Sequence, residues 1–177
     1  MAQIKIILIL LLAVAGCTSV NVKNTEAAPG FALSQYQTFG FYEISTEGEP
    51  AGQSYTRQVD LLKNAIREQL SAKGLSYSAV NPDLLVNIGV VTAEKVQTRQ
   101  TDFRTDAPRY MGQRRYSWKS QEVEVGRYKE GTVTVDLVDQ KKDAQVWQGT
   151  LEAVIPRQEA RQQKTITAGI AKLFGEL

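Results

Sequence analysis

Surface chemistry needs a nucleophile, a base or a metal ligand, and this sequence restricts all three. It holds no histidine and one cysteine, Cys17. Without imidazole there is no Ser-His-Asp or Cys-His relay, and the commonest metal ligand is missing. A zinc site of the usual Cys/His kind is excluded as well. A lone cysteine has neither an intramolecular disulfide partner nor a second thiol for redox cycling. It keeps a nucleophilic sulfur, and the small residues before it, Ala15 and Gly16, leave the backbone open to an enzyme's grip. The other candidates are carboxylates. Asp136, Asp139 and Asp143 stand close together with Lys141 and Lys142 among them, a mixture that suits a solvated turn better than a weak divalent-cation site. No serine lies in a Gly-flanked elbow and no Ser-x-x-Lys opens a helix. No catalytic residue, cofactor or metal is expected.

The segment around Cys17 is more specific. Ile6 to Ala15 is an unbroken apolar run preceded by Lys5, about half the ~20 residues a membrane-spanning helix needs. It fits the hydrophobic region of a secretory signal. Val14-Ala15-Gly16-Cys17 resembles the lipobox of bacterial lipoproteins, in which the cysteine becomes the first residue after processing and carries fatty chains such as palmitate. Each buried methylene contributes about 0.8 kcal/mol, so two or three chains on Cys17 would hold the protein on a membrane without release. In proteins with this motif an Asp after the cysteine favours the inner membrane. Thr18 therefore implies the outer membrane, with the protein facing the periplasm. Residues 1–16 are read as signal peptide, 17–35 as lipidated cysteine and flexible tether, and 36–177 as a single domain. Pro29-Gly30 marks a turn within the tether.

Positioning elements follow from periodicity. Val59, Leu62, Ile66 and Leu70 recur at helical spacing within Arg57 to Lys73, and Gly74 stands where a C-terminal cap belongs. Leu84, Val86, Ile88 and Val90 alternate on one face of a strand. From Gln121 onward three strands are expected: one turns near Lys129-Glu130-Gly131, and the next turns at Asp139 to Asp143. Trp147 reads as a core residue. Pro156 ends the last strand, and a second helix to Phe174 buries Ile166, Ile170, Leu173 and Phe174. Gly169 within that stripe predicts a close approach to the sheet, and Pro82-Asp83 reads as turn chemistry. The fold class is α+β: two layers, a mainly antiparallel sheet with two amphipathic helices packed on one face.

Three segments resemble the bacterial envelope lipoprotein family catalogued as domain of unknown function 4136. They are Thr38-Phe39-Gly40-Phe41, Pro82-Asp83-Leu84-Leu85-Val86-Asn87, and the run from Gly131 to Asp139 followed by Val146-Trp147-Gln148-Gly149. The resemblance implies a periplasm-facing α+β lipoprotein and offers no catalytic residue to carry over.

Between the central strand and the meander lies a long connection, Arg99 to Lys119. It interleaves Arg104, Arg109, Arg114 and Arg115 with aromatic residues including Tyr116 and Trp118. Guanidinium groups pair with phosphate or carboxylate while the rings supply apolar area. These residues are the candidate contact surface for an envelope protein, a glycan or an anionic lipid. Asp102 and Asp106 dilute the basic charge, and Lys plus Arg number 21 against 19 Asp plus Glu, so nucleic-acid binding is not expected. The sequence thus predicts a non-catalytic binding or adaptor domain, joined to a membrane through Cys17, in envelope maintenance or assembly. The alternatives are a carboxylate-dependent hydrolase of cell-wall or lipid substrates and a structural subunit of a larger complex.

Overall fold

Where Leu84, Val86 and Ile88 alternate with less apolar neighbours, the chain forms the central strand of a mixed six-stranded sheet. The computed structural model describes residues 20–42, 53–106 and 119–177, with backbone alone at 53–55, 103 and 104. Its elements are β1 (Val20–Ala27), a 3-10 turn (Leu33–Gln35), β2 (Thr38–Phe41), α1 (Gln53–Ala72), β3 (Ser76–Tyr77), β4 (Leu84–Gln100), α2 (Phe103–Asp106), β5 (Glu122–Asp139), β6 (Ala144–Val154) and α3 (Glu159–Phe174). The strand order is β1-β6-β5-β4-β2-β3. β2 runs parallel to β3 and β4, and α1 supplies the crossover that the parallel pair β2–β3 requires. The other pairings are antiparallel. The fold is α+β, with α1 and α3 packed on each other and covering one face of the sheet.

The core is the meeting of the helical stripes with that face. Ile66 and Leu70 of α1 and Ile170, Leu173 and Phe174 of α3 are buried against Phe39, Leu84, Val86, Val135 and Leu137, each large side chain contributing roughly 1.5–3 kcal/mol. Trp147 is buried as its alternation demands and packs on Phe174 with ring centroids 5.6 Å apart. α1 ends in a Schellman turn: Gly74 takes φ +95°, its N–H donates to Ser71 O at 3.0 Å and the Leu75 N–H donates to Leu70 O at 3.1 Å. Gly169 makes the close approach its position implies, since a Cβ there would lie 3.3 Å from Val20 Cγ1. Among the described residues no helix is long and apolar enough to cross a membrane.

Two sequence expectations are corrected. The stretch assigned to a flexible tether holds β1, which pairs with β6 from Val20↔Ala153 to Ala27↔Trp147, and Phe31 and Leu33 pack against the core. As an edge strand it needs only Val20 and Val22 on the inner side, too few apolar positions to stand out among polar neighbours. The turn placed at Lys129-Glu130-Gly131 does not exist, because β5 runs unbroken from Glu122 to Asp139. Gly131 sits on the core face, where an added Cβ would come within 3.2 Å of Ile155 Cδ1. The glycine there marks close packing, not a reversal.

β4 and β5 also outrun the sheet. β6 ends at Val154, opposite Glu130, and β2 ends at Phe41, opposite Val86. Beyond that, β4 and β5 pair only with each other, to Gln100↔Glu122. At ~3.3 Å per residue the stretch Ala93 to Gln100 makes a two-stranded arm about 25 Å long.

Gly149 lies beneath the Trp147 ring, where a Cβ would collide with that ring and lie 2.8 Å from Leu173 Cδ1. Gly149→Ala is expected to cost about 1–3 kcal/mol, read as a lower urea midpoint with an unchanged slope. Gly89→Ala, whose Cβ would meet nothing closer than 3.8 Å, is the control that stays near the wild-type midpoint.

Candidate functional site

Residues three apart on a strand point to opposite faces, and this separates the acids singled out by the sequence. Asp136 lies on the face away from the helices and accepts hydrogen bonds from Gln148 Nε2 at 2.8 Å and Asn87 Nδ2 at 3.3 Å. Asp139 lies on the core face and is only 4% exposed. It accepts from the Tyr36 hydroxyl at 3.0 Å and from the backbone N–H groups of Lys141 at 2.9 Å and Lys142 at 3.1 Å, with Lys142 Nζ at 3.1 Å. Burial pushes the Asp139 carboxyl up, but the Lys142 N–H and ammonium and the Tyr36 hydroxyl outweigh it and hold it at about 2. Asp143 takes φ +47° in the turn. Glycosidase-type chemistry would need two carboxylates about 5–10 Å apart across one cleft, and Asp136 and Asp139 do not share a face. Among the described residues no group of three or more Cys, Asp or Glu is placed to hold a metal ion.

Asp83, read as local turn chemistry, works over a long range instead. Its carboxylate accepts from the backbone N–H groups of Gln37 and Thr38, both at 3.1 Å, and from Thr38 Oγ1 at 3.0 Å, while its own N–H donates to Thr38 Oγ1 at 2.9 Å. The Gln37 N–H and the Thr38 hydroxyl hold this carboxyl below its ordinary value. With Lys141 Nζ at 3.4 Å, Asp83 and Asp139 staple together the starts of β2 and β4 and the β5–β6 turn.

The opposite end of the sheet carries the arm. It is laced by the cross-strand pairs Lys95 with Glu130 at 3.6 Å and Thr98 with Glu122, and by Arg127 with Glu124 at 2.7 Å within β5. Val125 is the extra residue of a bulge, since Gln97 pairs with Gly126 and Thr98 with Glu124. At the far end Arg99 grips the Asp106 carboxylate with both terminal nitrogens, Nη1 at 2.6 Å and Nη2 at 2.5 Å. Asp106 also accepts from the Asp102 N–H and the Thr105 hydroxyl, each at 2.9 Å. The Arg99 guanidinium foremost, then the Asp102 N–H, keeps the Asp106 carboxyl far below the usual carboxylate range. The Thr101 N–H donates to Gln121 O at 2.8 Å, closing the base of the connection. Arg104 lies in α2, where only the backbone is described. Arg109, Arg114, Arg115, Tyr116 and Trp118, like Cys17, lie outside the described residues.

Two features were missed by sequence reasoning. An apolar groove of about 80 Å³ opens at the root of the arm, lined by Leu62, Val90, Val133, Leu151, Ile155 and Ile166. Its only trace in the sequence is the pair of small core-facing residues Gly131 and Ala153, which are register partners. On the β3 edge, the Arg67 guanidinium lies 4.6 Å from the Tyr77 ring centroid and 5.9 Å from that of Phe41. The helical spacing of Lys63 and Arg67 could have suggested a basic face, but not its aromatic partners.

The profile described as Domain of unknown function (DUF4136) matches residues 23–176, from within β1 to the end of α3. The chain belongs to the DUF4136 family. Among solved structures, this DUF4136 domain is similar to a PDZ domain protein from Parabacteroides distasonis, at 14% identity and TM-score 0.49, covering 88% of this chain and 36% of that one. The DUF4136 chain thus spans about a third of that protein's length. It is also similar to the PelC dodecamer of Paraburkholderia phytofirmans in two crystal forms, at 13% and 15% identity and TM-scores 0.47 and 0.43. These cover 87% of this chain in both cases, and 96% and 94% of the PelC chains. No curated protein matches the sequence.

The depressed Asp139 carboxyl has a signed consequence. Its contribution to stability is complete above the ordinary value of 3.8 and is lost as pH falls through about 2. Urea midpoints of wild type and Asp139→Asn are expected to differ clearly at pH 7, and the gap is expected to close as pH approaches 2. A gap independent of pH would mean that the ionised carboxylate is not what holds this turn.

Proposed function

We propose that this DUF4136 chain is a bacterial lipoprotein, acylated on Cys17 and anchored in the outer membrane facing the periplasm. Its domain serves envelope maintenance or assembly as a non-catalytic binding or adaptor module. The observation that carries the reading is Val14-Ala15-Gly16-Cys17 at the end of a short apolar run. The use of Asp83, Asp136 and Asp139 in internal hydrogen bonds supports it, because the best-placed carboxylates are committed to holding strands together.

The arm supports a binding role. The connection between its two strands contains Arg104, Arg109, Arg114, Arg115, Tyr116 and Trp118. Arginines there suit phosphate or carboxylate groups and the aromatic rings add apolar contact. An envelope protein, a glycan or an anionic lipid fits that chemistry.

Cys17→Ser is the direct test. The wild-type protein is expected in the membrane fraction with a mass increased by fatty chains and decreased by residues 1–16. The variant is expected to retain those residues and to lack the fatty chains. Identical mass and fractionation of the two would overturn the reading.

A further inference from the structure

We infer that the uncovered face of the sheet is a docking surface for the helix layer of a second copy of this chain, so that copies stack face to back. The contact is independent of the anchor on Cys17, because it uses only the two faces of the domain.

Both helices cover one face of the sheet, and among the described residues no element covers the other. The centre of that open face is three rows of register partners across β4, β5, β6 and β1. One row runs from Asn87 through Asp136 and Gln148 to Glu26, the next from Gly89 to Asn24, and the third from Val91 to Asn21. At ~4.8 Å between strands and ~3.3 Å per residue, four strands over the length of β1 offer about 500 Å². Two such surfaces bury about 1,000 Å², the lower limit for a specific contact between proteins. The middle row is low and flat: a Cβ at Gly89 would meet nothing closer than 3.8 Å, and the Thr134 and Thr150 hydroxyls are tied at 3.3 Å. A helix layer can settle there as the chain's own helices do on the opposite side.

Charge selects the occupant. The rows hold three carboxylates, Glu26, Asp136 and Glu152, and one cation beside them, Lys23 of the β1 bulge, which bridges Glu152 at 2.9 Å. Asp136 and Glu26 are held by neutral amides, those of Gln148 and Asn87 on Asp136 and that of Asn24 on Glu26 at 2.7 Å. The face is therefore left with a net charge of −2. The helix layer has the opposite sign. Residues 53–74 and 157–177 carry eight basic side chains against four acidic, a net +4. Among the described residues, only Arg57 of these eight is paired with a carboxylate, Glu159 at 2.6 Å. Arg161 and Lys164 stand exposed on α3.

Opposite charges on opposite sides of one body fix the kind of contact. A two-fold dimer through either face sets like charge on like, whereas a copy displaced along the sheet normal sets the basic helices on the acidic sheet. The contact is therefore heterologous: each copy offers its sheet to one neighbour and its helices to another, and the series closes into a ring or continues as a filament. Because the charges are exposed, salt weakens the attraction, which is screened within about 10 Å at 0.1 M.

The test uses the full chain in detergent micelles, and the wild type, with Cys17 alone, sets the background. Copies with Thr150→Cys report the open sheet face, and copies with Lys164→Cys report the helix face. Under mild oxidation the mixture is expected to give severalfold more disulfide dimer than either variant by itself. A chain with both substitutions is expected to give a ladder of multimers. Glu26→Lys added to the Thr150→Cys copy is expected to lower the mixed yield severalfold, and Arg161→Glu added to the Lys164→Cys copy is then expected to recover it. Salt at about 1 M, where the screening length is about 3 Å, is expected to bring the yield down to the background. Equal yields from like and unlike pairs, or an excess of the dimer linked through position 150 on both copies, would overturn the face-to-back contact. A mixed yield no higher than wild type, or one that ignores both charge reversal and salt, would overturn it as well.

Discussion

The pairing of β4 with β5 is the constraint on which the rest depends. It runs without interruption, apart from one bulge, from Leu84↔Asp139 to Gln100↔Glu122. In its first half, past the buried Asp139, the alternate residues of both strands up to Val90 and Val133 are apolar and turned to the same side, so Val86, Ile88, Val135 and Leu137 form the floor on which both helices lie. In its second half neither face is covered by another element among the described residues, and the same ladder continues in water. A two-stranded ribbon is marginal alone. Here it is continuous with a buried one, and its far end is tied by Arg99 to Asp106 and by Thr101 to Gln121. The arm is therefore held at both ends.

The two ends of this ladder are built from opposite chemistry. At the Leu84 end the carboxylates of Asp83 and Asp139 accept hydrogen bonds from four backbone N–H groups, which closes the turns of that end without apolar residues. At the arm root the row Val20, Ala153, Gly131 and Thr92 carries small side chains without charge, and the groove lies over it. Such polarity gives a small domain a built-in direction. The alternating charges of the arm also guard exposed strand edges against unspecific pairing.

Elements whose apolar residues serve one buried face were legible from the sequence. The stripe Val59, Leu62, Ile66 and Leu70 and the alternation from Leu84 to Val90 are found as read, and Gly169 approaches the sheet as its position implied. β1 was not legible because an edge strand with two inward valines leaves little periodic signal. The arm was not legible for a related reason: with water on both faces, nothing selects apolar residues at every second position. Gly131 misled because a glycine required by crowding and one required by a reversal look alike in a sequence. The role of Asp83 depends on Thr38, a partner 45 residues distant, beyond the range of any local rule. Of the candidate contact surface, the sequence offered residue types, while the structure added the arm that carries them.

The placement of β1 also has a mechanical consequence. Any tension on the chain ahead of Val20 enters the domain through an edge strand held by seven register pairs to β6 and by the Lys172 ammonium on Val20 O at 3.0 Å. A pull along the strand axis loads those pairs together, in shear, and they fail only as a set. A pull across the axis opens them in turn, starting from Val20. The domain is therefore strong toward a load in line with β1 and weak toward one that peels it sideways, so the direction of traction, as much as its size, governs whether the fold survives.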